Sequence, residues 1–90
     1  MPRYLVERSF PDGFQLPIDA SGVRACLAMS ECNLQERVFW LQSYVSVDKR
    51  RVFCICDGPS PEAIRRAANR NQLPIHKITE VTVLDPYFYL

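Results

Sequence analysis

The side chains in this 90-residue sequence that could carry chemistry are few and scattered: one histidine, four cysteines, and carboxylates set among apolar segments. Cys54-Ile55-Cys56 puts two thiols on the same face of a strand, because strand side chains alternate. Two thiols could grip a soft metal. No second cysteine pair or histidine pair completes a zinc site, and free cysteine is among the most buried residue types, so a packed core pair is the simpler expectation. Cys26 and Cys32 stand six apart on a helical stretch and share no face. His76 follows Pro74-Ile75 at the start of a final strand, where exposure is expected and a metal-binding role is open to its imidazole. A site built on it would draw carboxylates from strand ends, among Glu7, Asp48, Asp57, Glu80 and Asp85. Such mixed nitrogen and oxygen donors suit nickel, cobalt or zinc. The candidate metal ligands are therefore His76, Asp48, Asp57 and Glu80, with a lone surface imidazole as the plain alternative.

A second constellation is Glu7, Trp40, Tyr44 and Cys54. Glu7, Arg8 and Tyr44 interrupt otherwise apolar strands, and a carboxylate held near Tyr44 and Trp40 would be pushed toward a raised pKa, fit for general-base work in a cleft. These residues mark a candidate pocket between helix layer and sheet, suited to an enzyme or small-molecule-binding protein. Such a pocket would hold one or two unpaired polar groups. The simpler fate of Glu7 is an ion pair with a neighbouring arginine. There is no Ser-His-Asp arrangement, glycine-rich phosphate loop or dinucleotide fingerprint, so no catalytic residue is assigned and a non-enzymatic role is favoured.

The elements that must position these groups can be read from pattern. Arg3 to Ser9 reads as a first strand, with Tyr4 and Val6 on one side and Leu5 and Glu7 on the other. Phe10-Pro11-Asp12-Gly13 breaks it. Asp19 or Ser21 can cap a helix by accepting from a free backbone N–H. Val23, Cys26, Leu27, Ser30 and Leu34 then recur at helical spacing along a weakly apolar seam of about four turns. Val38 to Val47 is rich in β-branched and aromatic residues. Asp48-Lys49-Arg50 turns the chain into a third strand, Arg51 to Asp57. Ser60 as N-cap, Pro61 at the first helical position and Glu62 at the positive end of the helix dipole open a second helix. It runs to about Asn71 and buries Ala63, Ile64, Ala67 and Ala68. A last strand lies between Ile75 and Leu84, followed by an aromatic tail, Tyr87-Phe88-Tyr89-Leu90. The order β-α-β-β-α-β predicts a single ferredoxin-like α+β domain over residues 1–90: a four-stranded antiparallel sheet with two helices on one face.

Composition narrows the partners. The apolar share of 48% and charged share of 23% are those of a globular chain. A net charge of +1 leaves no global field to attract nucleic acid or an anionic membrane. The basic clusters, Lys49-Arg50-Arg51 and Arg65-Arg66 with Arg70, read as a hairpin turn and a solvated helix face. No apolar run approaches the ~20 residues that cross a bilayer, and Met1 to Arg8 has no signal-peptide core. Four cysteines are too few for a disulfide scaffold. The expectation is a soluble, cytoplasmic protein with free thiols.

Two helices cover one sheet face, whose opposite side is normally polar. Here both faces read apolar. Phe39, Leu41 and Val45 point one way and Val38, Trp40 and Tyr44 the other, while Val52, Cys54 and Cys56 oppose Phe53 and Ile55. A sheet with that much apolar surface predicts a two-fold homodimer through the second face. The tail offers an alternative cover, by folding back over its own sheet.

With these residues in view, the chain resembles a family of small bacterial nickel-binding proteins. The resemblance rests on Tyr4-Leu5-Val6-Glu7-Arg8 with Phe10-Pro11, Ser43-Tyr44-Val45-Ser46 followed by Asp48, and Phe53-Cys54 through Asp57. It continues in Pro59-Ser60-Pro61-Glu62-Ala63-Ile64-Arg65, Leu73-Pro74, and Asp85-Pro86 with the closing aromatics. It implies a ferredoxin-like dimer holding nickel, or another divalent transition metal, at its surface, sequestering the ion rather than catalysing.

Overall fold

Alternation and caps place the elements. The computed structural model describes residues 1–89. In chain order they form β1 (Arg3–Ser9), α1 (Ala20–Gln35), β2 (Phe39–Val45), β3 (Arg51–Asp57), α2 (Pro61–Arg70), β4 (Lys77–Val81) and a 3₁₀ turn (Pro86–Tyr89). The sheet is antiparallel throughout with strand order β2-β3-β1-β4. This is the ferredoxin-like arrangement predicted from the sequence.

On β1 the buried residues are Tyr4, Val6 and Arg8, alternating with Leu5 and Glu7. Register carries this parity across the sheet. Tyr4 pairs with Cys56, Val6 with Cys54 and Arg8 with Val52, and these pairs face the helices. The core joins them to Val38, Ala63, Ile64 and Ala67. α2 forms as its sequence demands: the Ser60 side chain accepts from Ala63 N at 3.2 Å, Pro61 opens the first turn, and Ala63, Ile64, Ala67 and Ala68 are buried.

Three expectations change. First, β2 does not alternate cleanly. A bulge between Trp40 and Gln42 makes Leu41 an extra residue, so Trp40 pairs with Cys56 but Ser43 pairs with Cys54 and Tyr44 with Phe53. Trp40, Ser43 and Val45 face the helices, while Phe39, Gln42 and Tyr44 face away. Trp40 and Tyr44 therefore lie on opposite faces, because one extra residue reverses every side chain beyond it. Second, α1 is rolled away from its apparent seam. Of that seam Val23, Leu27 and Leu34 are exposed, whereas Cys26 does face inward, joined there by Met29 and Asn33. Polar contacts and one close approach set this roll. Asp19 caps the helix through Ser21 N and Gly22 N, and Gly22 lies against the Pro17 carbonyl. The Asn33 side chain accepts from Asn71 Nδ2 at 3.0 Å, and Glu36 accepts from Arg66 and Arg70. Third, β4 and β2 are shorter than their apolar runs, ending at Val81 and Val45.

The face without helices is less uniform than predicted. Half-buried Leu5, Phe53 and Ile55 form an apolar middle, flanked in register by Thr79 and Gln42, while Val81 stands opposite Arg3. Arg3 grips Asp57 at one end, at 2.7 and 3.1 Å. At the other, Arg51 pairs with Glu7 at 3.5 Å and lies over the Phe53 ring. Among the described side chains of the tail, Tyr87 and Phe88 do not cover this face, being 80% and 86% exposed. Leu90, at the chain end, lies outside the described residues.

Candidate functional site

The four candidate metal ligands do not converge. Asp48 sits in the β2–β3 turn, where its Oδ1 accepts from Ser46 Oγ at 2.6 Å and Arg50 N at 3.0 Å. These bonds hold its carboxyl below the usual range. Asp57 closes β3, a seven-residue strand that carries it ~20 Å from that turn. There the hydrogen bond from Arg3 lowers its pKa. Glu80 is exposed on the edge strand, opposite Tyr4. His76 is exposed in the loop before β4, held through its backbone N–H, which donates to Glu7 O at 2.7 Å. Asp48 and His76 thus stand at one end of the sheet, Asp57 and Glu80 at the other. Among the described residues, no three of His, Cys, Asp and Glu come close enough to hold a metal ion. A single protomer therefore does not fit a chelating nickel centre.

The cysteine pair is a core feature. Cys54 and Cys56 are buried and free. Burial, aided by the neighbouring Cys54 and partly offset by Arg8, pushes the Cys56 thiol up to about 12. A thiol so raised stays protonated at neutral pH and is neither nucleophile nor ready metal ligand.

The proposed pocket residues divide between the two faces. Trp40 and Cys54 line a cavity of about 300 Å³ between the sheet and both helices. Tyr44 is 62% exposed on the opposite face, and Glu7 is there too, ion-paired with Arg51. The cavity exists because α1 stands off the sheet. Its floor is Val52, Cys54 and Cys56 of β3 with Trp40, Ser43 and Val45 of β2, and Met29 and Ala67 belong to its roof. Trp40 Nε1 donates to Ser43 Oγ at 2.8 Å, and Ser43 Oγ donates onward to Cys54 Sγ at 3.0 Å.

The polar group that the pocket reading missed is Arg8. It is 7% exposed and lines this cavity. Its Nη1 donates to Pro74 O at 3.0 Å. Its Nε is the only buried side-chain nitrogen or oxygen among the described residues that lacks a hydrogen-bond partner. The parity of Tyr4 and Val6, extended by one step, already pointed Arg8 inward.

A four-stranded antiparallel sheet built in the order βαββαβ, with both helices over one face, defines a ferredoxin-like α+β domain. The family model "Nickel responsive protein SCO4226-like" matches residues 4–81, and the chain belongs to that family. The fold is similar to the crystal structure of SCO4226 from Streptomyces coelicolor A3(2), with a TM-score of 0.74 and 20% identity. That alignment covers 92% of this chain and 99% of the other. No curated protein matches.

Proposed function

We propose that this chain is a non-catalytic homodimer of nickel handling in the cytoplasm, pairing through the open sheet face and holding Ni²⁺ at its surface through His76. The observation that carries this reading is the open face. Leu5, Ile55 and Phe53 form a short apolar strip that neither helix nor Tyr87 and Phe88 cover, with Val81 and exposed Phe39 in the end row of Arg3 and Asp57. Burying such a strip yields about 25 cal/mol per Å², and a two-fold copy supplies the same strip in return. The Arg3–Asp57 and Arg51–Glu7 pairs at its ends would give that contact its polar rim. The family supports the nickel part. Since one protomer does not gather three donors, the remaining ligands would be water or carboxylates of a second protomer. That predicts weak, imidazole-dependent uptake.

Sedimentation equilibrium and nickel calorimetry test the two halves separately. Ile55→Asp, at the centre of the open face, should give a folded monomer. His76→Ala should leave the dimer intact and remove nickel uptake. A wild-type chain that stays monomeric at high concentration refutes the pairing, and uptake unchanged in His76→Ala refutes the metal site.

A further inference from the structure

We propose that the cavity between the sheet and the helices is a binding site for a small organic anion, a carboxylate on an apolar body, with the carboxylate at Arg8. The case begins with charge. A guanidinium removed from water is costly unless it is paired and fully hydrogen-bonded. Arg8 is 7% exposed, and among the described residues it has no carboxylate within ion-pair distance. Glu7 is taken by Arg51, Asp57 by Arg3, and Glu36 by Arg66 and Arg70. Its Nη1 meets only the neutral carbonyl of Pro74, and its Nε has no partner.

The surroundings select the anion. Arg8, Val52 and Val45 form one row across β1, β3 and β2, so the guanidinium stands at one end of the cavity floor. The rest of the wall is mostly apolar, Trp40, Met29 and Ile64 among it. Ser43 and Trp40 are spent on each other and Cys54, and Asn71 donates to Asn33 and Met29 O. An inorganic anion would leave that apolar wall unfilled, whereas a carboxylate with a hydrocarbon body meets both parts. Arginine's planar fork matches a carboxylate with two parallel N–H bonds. A volume of about 300 Å³ is at the small end of ligand pockets, roughly 300–1,000 Å³.

Three probes separate the possible ligands: octanoate, 1-octanol and inorganic phosphate, each titrated against the fluorescence of Trp40, the single tryptophan. Octanoate should change the emission saturably, octanol should bind at least tenfold more weakly, and phosphate should do nothing. Arg8→Met should lower octanoate affinity at least tenfold while leaving octanol binding unchanged. Should that variant not fold, the wild-type chain still decides, since the Arg8 Nε–H proton resonance should move on adding octanoate and stay with octanol. Ala67→Leu, which narrows the cavity with Arg8 intact, should weaken octanoate in parallel. No saturable octanoate signal, octanol binding equal to octanoate, phosphate binding in its place, or full octanoate affinity in Arg8→Met each overturns the proposal.

Discussion

Gly22→Ala tests whether the roll of α1, and hence the cavity, is set by one close approach. In an ordinary helix interior this substitution stabilises, by up to ~1 kcal/mol. Here a Cβ at position 22 would stand 1.7 Å from the Pro17 carbonyl oxygen and 2.9 Å from its carbon. Both obstacles are backbone, so no rotamer change clears them, and the loop and first turn must part by well over an ångström. Overpacking costs ~1–3 kcal/mol, and backbone that must part this far belongs at the upper end, ~2–3 kcal/mol. Offset by the helix preference, the net loss should be about 1–2 kcal/mol. For a domain of this size that lowers Tm by roughly 5–15 °C. Circular-dichroism melts at matched protein concentration read it, since a dimer's Tm moves with concentration. Ala28→Gly, on the exposed side of the same helix, supplies the contrast: there glycine is the residue that costs ~1 kcal/mol. If Gly22→Ala melts at or above the wild type, the contact with Pro17 does not fix the helix.

Two further substitutions probe the core beside the cavity. Ser60→Ala removes the side chain that accepts from Ala63 N and should cost ~1 kcal/mol in chemical denaturation, whereas Ser60→Asp should retain most of it. Cys56 is protonated in the folded protein up to about 12, above its ordinary 9.0. Its contribution is fully present below the ordinary value and is lost as pH rises between the two, at up to ~1.4 kcal/mol per pH unit. Cys56→Ala should therefore flatten the fall of stability between pH 9 and 11, and an unchanged alkaline slope refutes a buried thiol there.

What the sequence showed and what it hid have distinct physical causes. β1 and β3 fall where predicted, Arg3–Ser9 and Arg51–Asp57, because each is a short run rich in β-branched, aromatic and other apolar residues bounded by turn formers. α2 is legible because cap, Pro61 and the alanine face agree. The roll of α1 was not, since its seam is weak and its orientation depends on contacts distant in sequence, such as Asn33 with Asn71 and Glu36 with Arg66. The bulge at Leu41 has no local signature in Trp40-Leu41-Gln42, and it moved Tyr44 to the other face. The metal candidates share a donor chemistry, but spacing along the chain does not bring strand ends together across a sheet.

The bulge also decides how the molecule divides its work. Without it, Tyr44 would stand beside Trp40 and the two faces would each carry a mixed aromatic surface. With it, Trp40 and Ser43 close the cavity floor over Cys56 and Cys54, and Tyr44 joins Phe53 and Glu7 on the open face. The open face has two ion pairs, Arg3 with Asp57 and Arg51 with Glu7, and exposed Lys77 in register with Glu7 but outside both pairs, the kind of polar rim that a second copy would meet. The inner face has a buried guanidinium with no carboxylate partner beside apolar walls. Strand alternation keeps the two separate, so a charge placed at Ile55 should break the proposed dimer without altering octanoate binding at Arg8. A dimer-breaking substitution that also abolished octanoate binding would show that the faces are coupled, and that the cavity depends on the partner subunit for its shape.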